Sequence, residues 1–400
     1  MISSLYLPVA NRQIIRNFAA MQIGFDAKRA YHNTTGLGYF SRTLINLLAH
    51  YYPEHNYYLY NPKSSDKFHP DSPAVHEVRP TAFLDKLFRS AWRSSWVKKD
   101  LLKQGIDLYH GLSHELPMGI EKTGIRTVVA MHDLIPERFP EQFKPIDVAI
   151  YKKKYRHACR VADHIMAISE QTKQDIIDYY EIPAERITVC YQSVDPAFAQ
   201  RATEQQKAAI RVRYGLPETY FLYVGTVIER KNLLNICKAL FLLRGRLDIP
   251  LVVVGKGGKY LEQVKDYIRQ QNLERQIIFV SETAGYVAQE DFPAMYQMST
   301  AMLYTSFFEG FGIPVLEAHW SQVPVITSNV SCLPEVGGPG AYYVNPNSSE
   351  EIAEGMFRLA TDSALVQQLI QLSGPHIQRF APEVYAASVM AIYERVKRPL

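Results

Sequence analysis

Twice along this chain, short apolar runs alternate with helix-length segments, and that alternation leaves few folds open. In the first half, residues 22–25, 57–60, 107–110, 127–131, 164–168 and 187–190 read as strands, because each is a short apolar run between turn-forming residues. Between them, 38–50 and 169–180 read as helices, the second with Ser169 as its N-cap, a residue type whose oxygen accepts from the first free backbone N–H groups. A polar, charged stretch over 197–215 interrupts the pattern and reads as an interdomain linker. The alternation resumes at 220–224, 251–254, 277–280, 301–304, 324–327 and 342–344. Strand–helix alternation builds doubly wound parallel sheets. The expected fold is therefore α/β, with two Rossmann-like domains facing each other across a cleft. Their expected bounds are 21–196 and 197–380, after a leader over 1–20 to which no role is assigned. At 400 residues the chain is longer than one hydrophobic core usually serves.

Composition narrows the functional classes. With 47% hydrophobic and 21% charged residues the chain reads as globular. A net charge of +4 over this length gives no support for a nucleic-acid partner. Cys159, Cys190, Cys237 and Cys332 stand alone, without the paired spacing of a zinc site. They fit buried reduced thiols, so a cytoplasmic location is expected. No run approaches the roughly 18 apolar residues of a membrane span, and the first residues lack the layout of a signal peptide.

The chemistry concentrates at 306–317, Ser-Phe-Phe-Glu-Gly-Phe-Gly-Ile-Pro-Val-Leu-Glu, directly after a strand. Gly310 and Gly312 allow a sharp turn and close approach of a ligand to the backbone. Pro314 suits a first helical turn, where its missing N–H costs nothing. The free N–H groups over Gly310, Phe311, Gly312 and Ile313 then face the loop, where the positive end of the helix dipole favours a diphosphate. Glu317 lies about one turn into the helix, placed to accept from ribose hydroxyls as an ionised carboxylate. Glu309 stands at the C-terminal end of the strand, where open α/β sheets hold their ligands. In Gly225-Thr226-Val227-Ile228-Glu229-Arg230-Lys231-Asn232, Arg230 and Lys231 are cations near a helix start and can neutralise two phosphates.

Together these segments resemble the retaining glycosyltransferases of the GT-B fold, specifically the GT4 family with its Glu-x7-Glu signature. Gly36-Leu37-Gly38, His132-Asp133-Leu134, Ala167-Ile168-Ser169-Glu170, the Gly225 to Asn232 run and Pro334-Glu335-Val336 stand in that family's order. The resemblance implies transfer of a hexose from a nucleotide diphosphate sugar to an acceptor hydroxyl, with Glu309 as the catalytic carboxylate and His132 against the transferred sugar. Gly36 and Gly38 are donor-binding candidates, and His110 and His114 are candidates for the acceptor side. It also implies a mannosyl donor such as GDP-mannose, a saccharide or lipid-linked acceptor in cell-surface polysaccharide assembly, and a last helix, about 381–396, that crosses back to the first domain. Two departures stand out: Thr226 replaces an arginine common in relatives, and Gln322 replaces a common glycine.

Other chemistries fit less well. Gly36 and Gly38 lack the third glycine of a dinucleotide fingerprint, since Ser41 occupies its place. The chain has no Asp-x-Asp, so no metal and no cofactor beyond the sugar nucleotide are expected. Two rivals stay open: a nucleotide-sugar epimerase of the same fold, and a non-catalytic transferase partner. Segment 83–103 is distinctive, with Phe83, Leu84, Leu87, Phe88, Trp92 and Trp96 near helical spacing among Lys86, Arg89, Arg93, Lys98, Lys99 and Lys103. A basic aromatic helix of this kind either rests on an anionic membrane surface or packs its stripe against the sheet. A peripheral position at the inner face of the cytoplasmic membrane follows from the first alternative.

Overall fold

A computed structural model describes residues 20–397; residues 1–19, and with them nearly all of the leader, lie outside the described residues. Two parallel sheets organise the chain. The first has the order β3-β2-β1-β4-β5-β6-β7, from β1 Gln22–Asp26, β2 Asn56–Tyr60, β3 Val75–Val78, β4 Leu108–Gly111, β5 Arg126–Met131, β6 His164–Ala167 and β7 Ile187–Val189. The second has the order β10-β9-β8-β11-β12-β13, from β8 Phe221–Val224, β9 Leu251–Val254, β10 Ile277–Phe279, β11 Ala301–Tyr304, β12 Val325–Ser328 and β13 Ala341–Val344. Strands β4, β6, β9, β11 and β12 are buried along their whole length. That is the mark of parallel strands covered by helices on both faces, and it explains why their sequences run apolar without alternation.

Strand order reverses direction between β1 and β4 in the first sheet and between β8 and β11 in the second. Loops at such a switch point diverge to opposite faces and leave a crevice for ligands. The segments following β8 and β11 carry Lys231 and Glu309, so both stand at the switch point of the second sheet.

Four features of the structure go beyond or against the sequence reading. The stretch 197–215 is no loose linker, because it contains the helix Glu204–Tyr214, started by a capping box between Thr203 and Gln206 and closed by Gly215 at φ 63°. Its polar composition belongs to a solvated face, while Ile210 and Tyr214 are buried and the Tyr214 hydroxyl donates to Asp291 at 2.7 Å. Strand β3, with the sequence Val-His-Glu-Val, goes unread in the sequence because it is a sheet-edge strand without a buried residue. Segment 83–103 is broken rather than continuous, with helix Phe83–Leu87, a π-helix Trp92–Trp96 and helix Lys98–Lys103. The cause lies in its second half, where Trp92 is buried and donates to Asp100 at 2.6 Å, and Arg93 turns inward to Asp26 and Glu115. Fourth, Gln322, which replaces a common glycine, sits at φ 57°, a left-handed conformation that favours glycine, and is tied by its side chain to Arg201.

The last helix, Pro382–Lys397, lies on the first domain. Tyr393 meets His110 at 2.6 Å, Tyr385 packs near Phe40, and Arg395 donates to the Glu185 carbonyl.

Candidate active site

Glu309 sits in the loop between β11 and the helix Ile313–Trp320 and is almost fully buried, at 7% exposure. Lys231 Nζ lies 3.0 Å and Arg230 Nη1 2.9 Å from its two oxygens, and Ser306 Oγ donates at 2.8 Å. Burial alone would raise this carboxyl's pKa. The charges of Lys231 and Arg230, with the hydrogen bonds from Lys231 and Ser306, outweigh burial and bring it down to about 2. Glu309 is therefore a permanent carboxylate and cannot act as a general acid. Lys231 is itself held by the Tyr304 hydroxyl at 2.7 Å and lies over the Tyr304 ring. Two cations stand against Glu309, with the partly buried Asp133 near Arg230, and a further anion placed here would meet Lys231 and Arg230 away from bulk water.

The loop supplies the rest of an anion site. Gly312 caps the helix at φ 109°, with Pro314 in the first turn. The N–H groups of Gly310, Phe311 and Gly312 donate to no acceptor among the described residues. Three successive free amides at a helix N-terminus form a concavity suited to phosphate. Gly310 also meets the first domain: a Cβ there would stand 2.1 Å from the His132 carbonyl oxygen. Phe311 is buried near Tyr191 and Phe380, so its side chain anchors the loop. Ile313 is partly buried as the first residue of the helix.

Glu317 is half-buried, and its Oε2 accepts from the Tyr296 hydroxyl at 2.7 Å. Desolvation raises its pKa to about 7 against that hydrogen bond. Burial thus works against the ionised carboxylate expected from the sequence.

His132 follows β5 and comes from the opposite domain. Its Nε2 lies 2.8 Å from the Leu112 carbonyl, which can only accept, so Nε2 carries the proton and Nδ1 keeps its lone pair. Burial, then the neighbouring His114, lowers its pKa to about 3. The ring is neutral, with Phe40 edge-on at 4.3 Å. His110 and His114, the acceptor-side candidates, are both buried. His114 Nε2 accepts the His132 backbone N–H at 3.0 Å, with its ring stacked on Tyr155 at 4.4 Å. His110 lies within β4 rather than beyond its end, so its side chain enters the core and meets Tyr393. His114 supports the His132 backbone, and His110 joins β4 to the last helix.

Gly36 and Gly38 lie in the first turn of the helix Gly36–Tyr51 rather than in a loop before it. Gly36 faces open space, whereas a Cβ on Gly38 would collide with the Asn33 carbonyl at 2.0 Å. Tyr39, in the same turn, lies close to Tyr286 of the second domain. Thr226 is exposed beside Gly225, and Arg230 is committed to Glu309 and the Phe308 carbonyl. Among the supporting residues, Tyr304 and Tyr296 have no advance sign in the sequence. Asn232 adopts φ 62° and ties the Lys231 loop to the carbonyls of Thr305 and Pro346. Asparagine after a cationic pair, as a residue that tolerates this conformation, was the available clue.

Comparison with known proteins agrees in both halves. A family model described as Glycosyltransferase Family 4 matches residues 36–198, and one described as Glycosyl transferases group 1 matches residues 206–373. O-antigen chain mannosyltransferase B of Escherichia coli is 29% identical over 364 residues, covering 86% of this chain and 92% of that protein. Among solved structures, a glycosyltransferase from Rickettsia africae superposes with a TM-score of 0.74 at 15% identity, over 96% of this chain and 100% of that one. WaaG, a glycosyltransferase involved in lipopolysaccharide biosynthesis, gives 0.69 at 17% identity, over 92% and 99%. Anabaena Alr3699/HepE in complex with UDP and glucose gives 0.71 at 16% identity, over 94% and 99%. With its two halves matched by the two family models and both sheets in the matching architecture, the chain belongs to the GT4-type glycosyltransferases of GT-B fold.

Proposed function

We propose that this glycosyltransferase moves a hexose, mannose from GDP-mannose in the version we favour, to a hydroxyl of a saccharide or lipid-linked acceptor in cell-surface polysaccharide or lipopolysaccharide assembly. The observation that carries the proposal is the Lys231–Glu309–Arg230 cluster at the switch point, beside three free amides. The diphosphate rests on the amides of Gly310 to Gly312 with Lys231 beside it, and this side chain takes up the charge that grows on the leaving group. Glu309, fixed as a carboxylate, accepts from a sugar hydroxyl and stabilises positive charge at the anomeric carbon. His132 Nδ1 accepts from a second hydroxyl, Glu317 binds the ribose, and Gly36 covers the phosphates. The acceptor attacks on the face the leaving group vacates, its hydroxyl proton passing to the departing diphosphate as the bond to the anomeric carbon breaks, so configuration is retained. No metal enters this scheme, because the two cations supply the neutralising charge.

The sugar and the setting follow from the names of relatives, O-antigen chain mannosyltransferase B above all. The bound UDP in the Anabaena structure supports a nucleotide donor and makes UDP-sugars the first alternative to test. Among the described residues no helix is long and apolar enough to cross a membrane. Contact with a lipid-borne acceptor is assigned to the exposed face of helix Phe83–Leu87.

The test is incubation with labelled GDP-mannose, UDP-glucose and other sugar nucleotides, with and without lipid-linked saccharide. Acceptor-dependent transfer of mannose with retention supports the proposal. An epimerised sugar nucleotide, or no donor consumption at all, contradicts it and favours the rival readings.

A further inference from the structure

Glu335, in the short helix Leu333–Gly337 of the second domain, reaches across to the first. Its carboxylate accepts the backbone N–H groups of Glu170 at 2.8 Å and Gln171 at 3.1 Å, the leading amides of the helix Glu170–Tyr180. No cation pairs with Glu335 among the described residues, so amides and the positive end of a helix dipole hold its charge. The same helical turn grips both halves of the site. Ser169 Oγ donates to the Gly310 carbonyl at 2.7 Å, and Thr172 Oγ1 donates to the His132 carbonyl at 3.1 Å. One turn of one helix thus binds the donor loop of the second domain, the His132 backbone of the first, and a carboxylate that returns from the second.

We propose that Glu335 is a positioning residue for transfer: seated on this helix, it sets the spacing between His132 and the Glu309 loop. It touches no reacting atom and acts through Ser169 and Thr172. A glutamine cannot replace it, because the amide oxygen can accept one N–H while the amide nitrogen opposes the other.

The inference rests on the glycosyl-transfer reading, and two measurements separate their fates. With GDP-mannose as probe, E335A lowers kcat by about 100-fold, the scale of a small misplacement of reacting groups. Donor KM stays within about twofold, and E335D recovers part of kcat. A kcat within threefold of wild type, or E335D no better than E335A, overturns the proposal. Hydrogen exchange needs no turnover: in the free protein E335A speeds exchange at the amides of Glu170 and Gln171 and at the hydrogen-bonded amides of Phe307 and Glu309. Unchanged exchange, or a change confined to 170–171, overturns it as well. If wild type consumes no sugar nucleotide, the glycosyl-transfer reading fails while exchange still decides whether Glu335 holds the junction.

Discussion

Glu309 and Glu317 bracket one loop yet titrate in opposite directions, and each makes a distinct prediction. Glu309 is depressed to about 2 from 4.5, so its ionised form stabilises the fold above pH 4.5, and that contribution is lost as pH falls towards 2. E309Q leaves Lys231 and Arg230 buried without their counter-charge. It should lower Tm at pH 7, with the gap to wild type closing between pH 4.5 and 2 in a calorimetric series, and cost about 100- to 1000-fold in kcat. Glu317 is raised to about 7 from 4.5. The folded state holds this proton more tightly than the unfolded chain, so stability falls as pH rises through that window. E317Q should therefore gain Tm over wild type above pH 7, and the gain should vanish near pH 4.5. A pH-independent difference would show that burial of this carboxyl is not the cause. His132, neutral down to about pH 3, should add no inflection to kcat between pH 6 and 8.

Helix Phe83–Leu87 is the element whose surface asks for a partner. Phe83, Leu84, Leu87 and the adjacent Phe88 are 79%, 59%, 62% and 52% exposed, while Lys86, Arg89, Lys99 and Lys103 are exposed and have no ion-pair partner among the described residues. Aromatic and aliphatic side chains among free cations match an anionic bilayer surface. Co-sedimentation should show binding to phosphatidylglycerol-containing vesicles, weakened by salt and by F83S/L87S, and little binding to phosphatidylcholine; equal binding to both would contradict this assignment. Elements were legible where one local signal sufficed. Strands β9 and β11 stand at the bounds read from sequence because each is a buried apolar run, and Ser169 caps its helix by accepting from Thr172. The helix Glu204–Tyr214 was masked by its polar face. Segment 83–103 was misread because burial of Trp92 and Arg93 depends on Asp26 and Glu115, partners that no local periodicity reveals. The same holds for the grip of Tyr304 on Lys231 and of Tyr296 on Glu317, which join residues distant in sequence.

For the molecule as a whole, function depends on two sheets presenting complementary halves of one site. In the function proposed above, the second supplies charge and amides at its switch point, and the first supplies a neutral imidazole and the turn at Gly36. Ser169, Thr172 and Glu335 join the halves, with the last helix packed back on the first domain. Such an arrangement suits closure around a donor that excludes water before transfer. The central claim is that a pyrophosphate occupies the amides of Gly310, Phe311 and Gly312 beside Lys231. Backbone amide NMR of the deuterated protein, titrated with GDP, UDP and the matching nucleosides, tests it most directly. The account predicts that the diphosphate that binds shifts these three amides more than any others outside the base contacts, and that its nucleoside leaves them in place. A bound nucleoside diphosphate that leaves all three unmoved would contradict it.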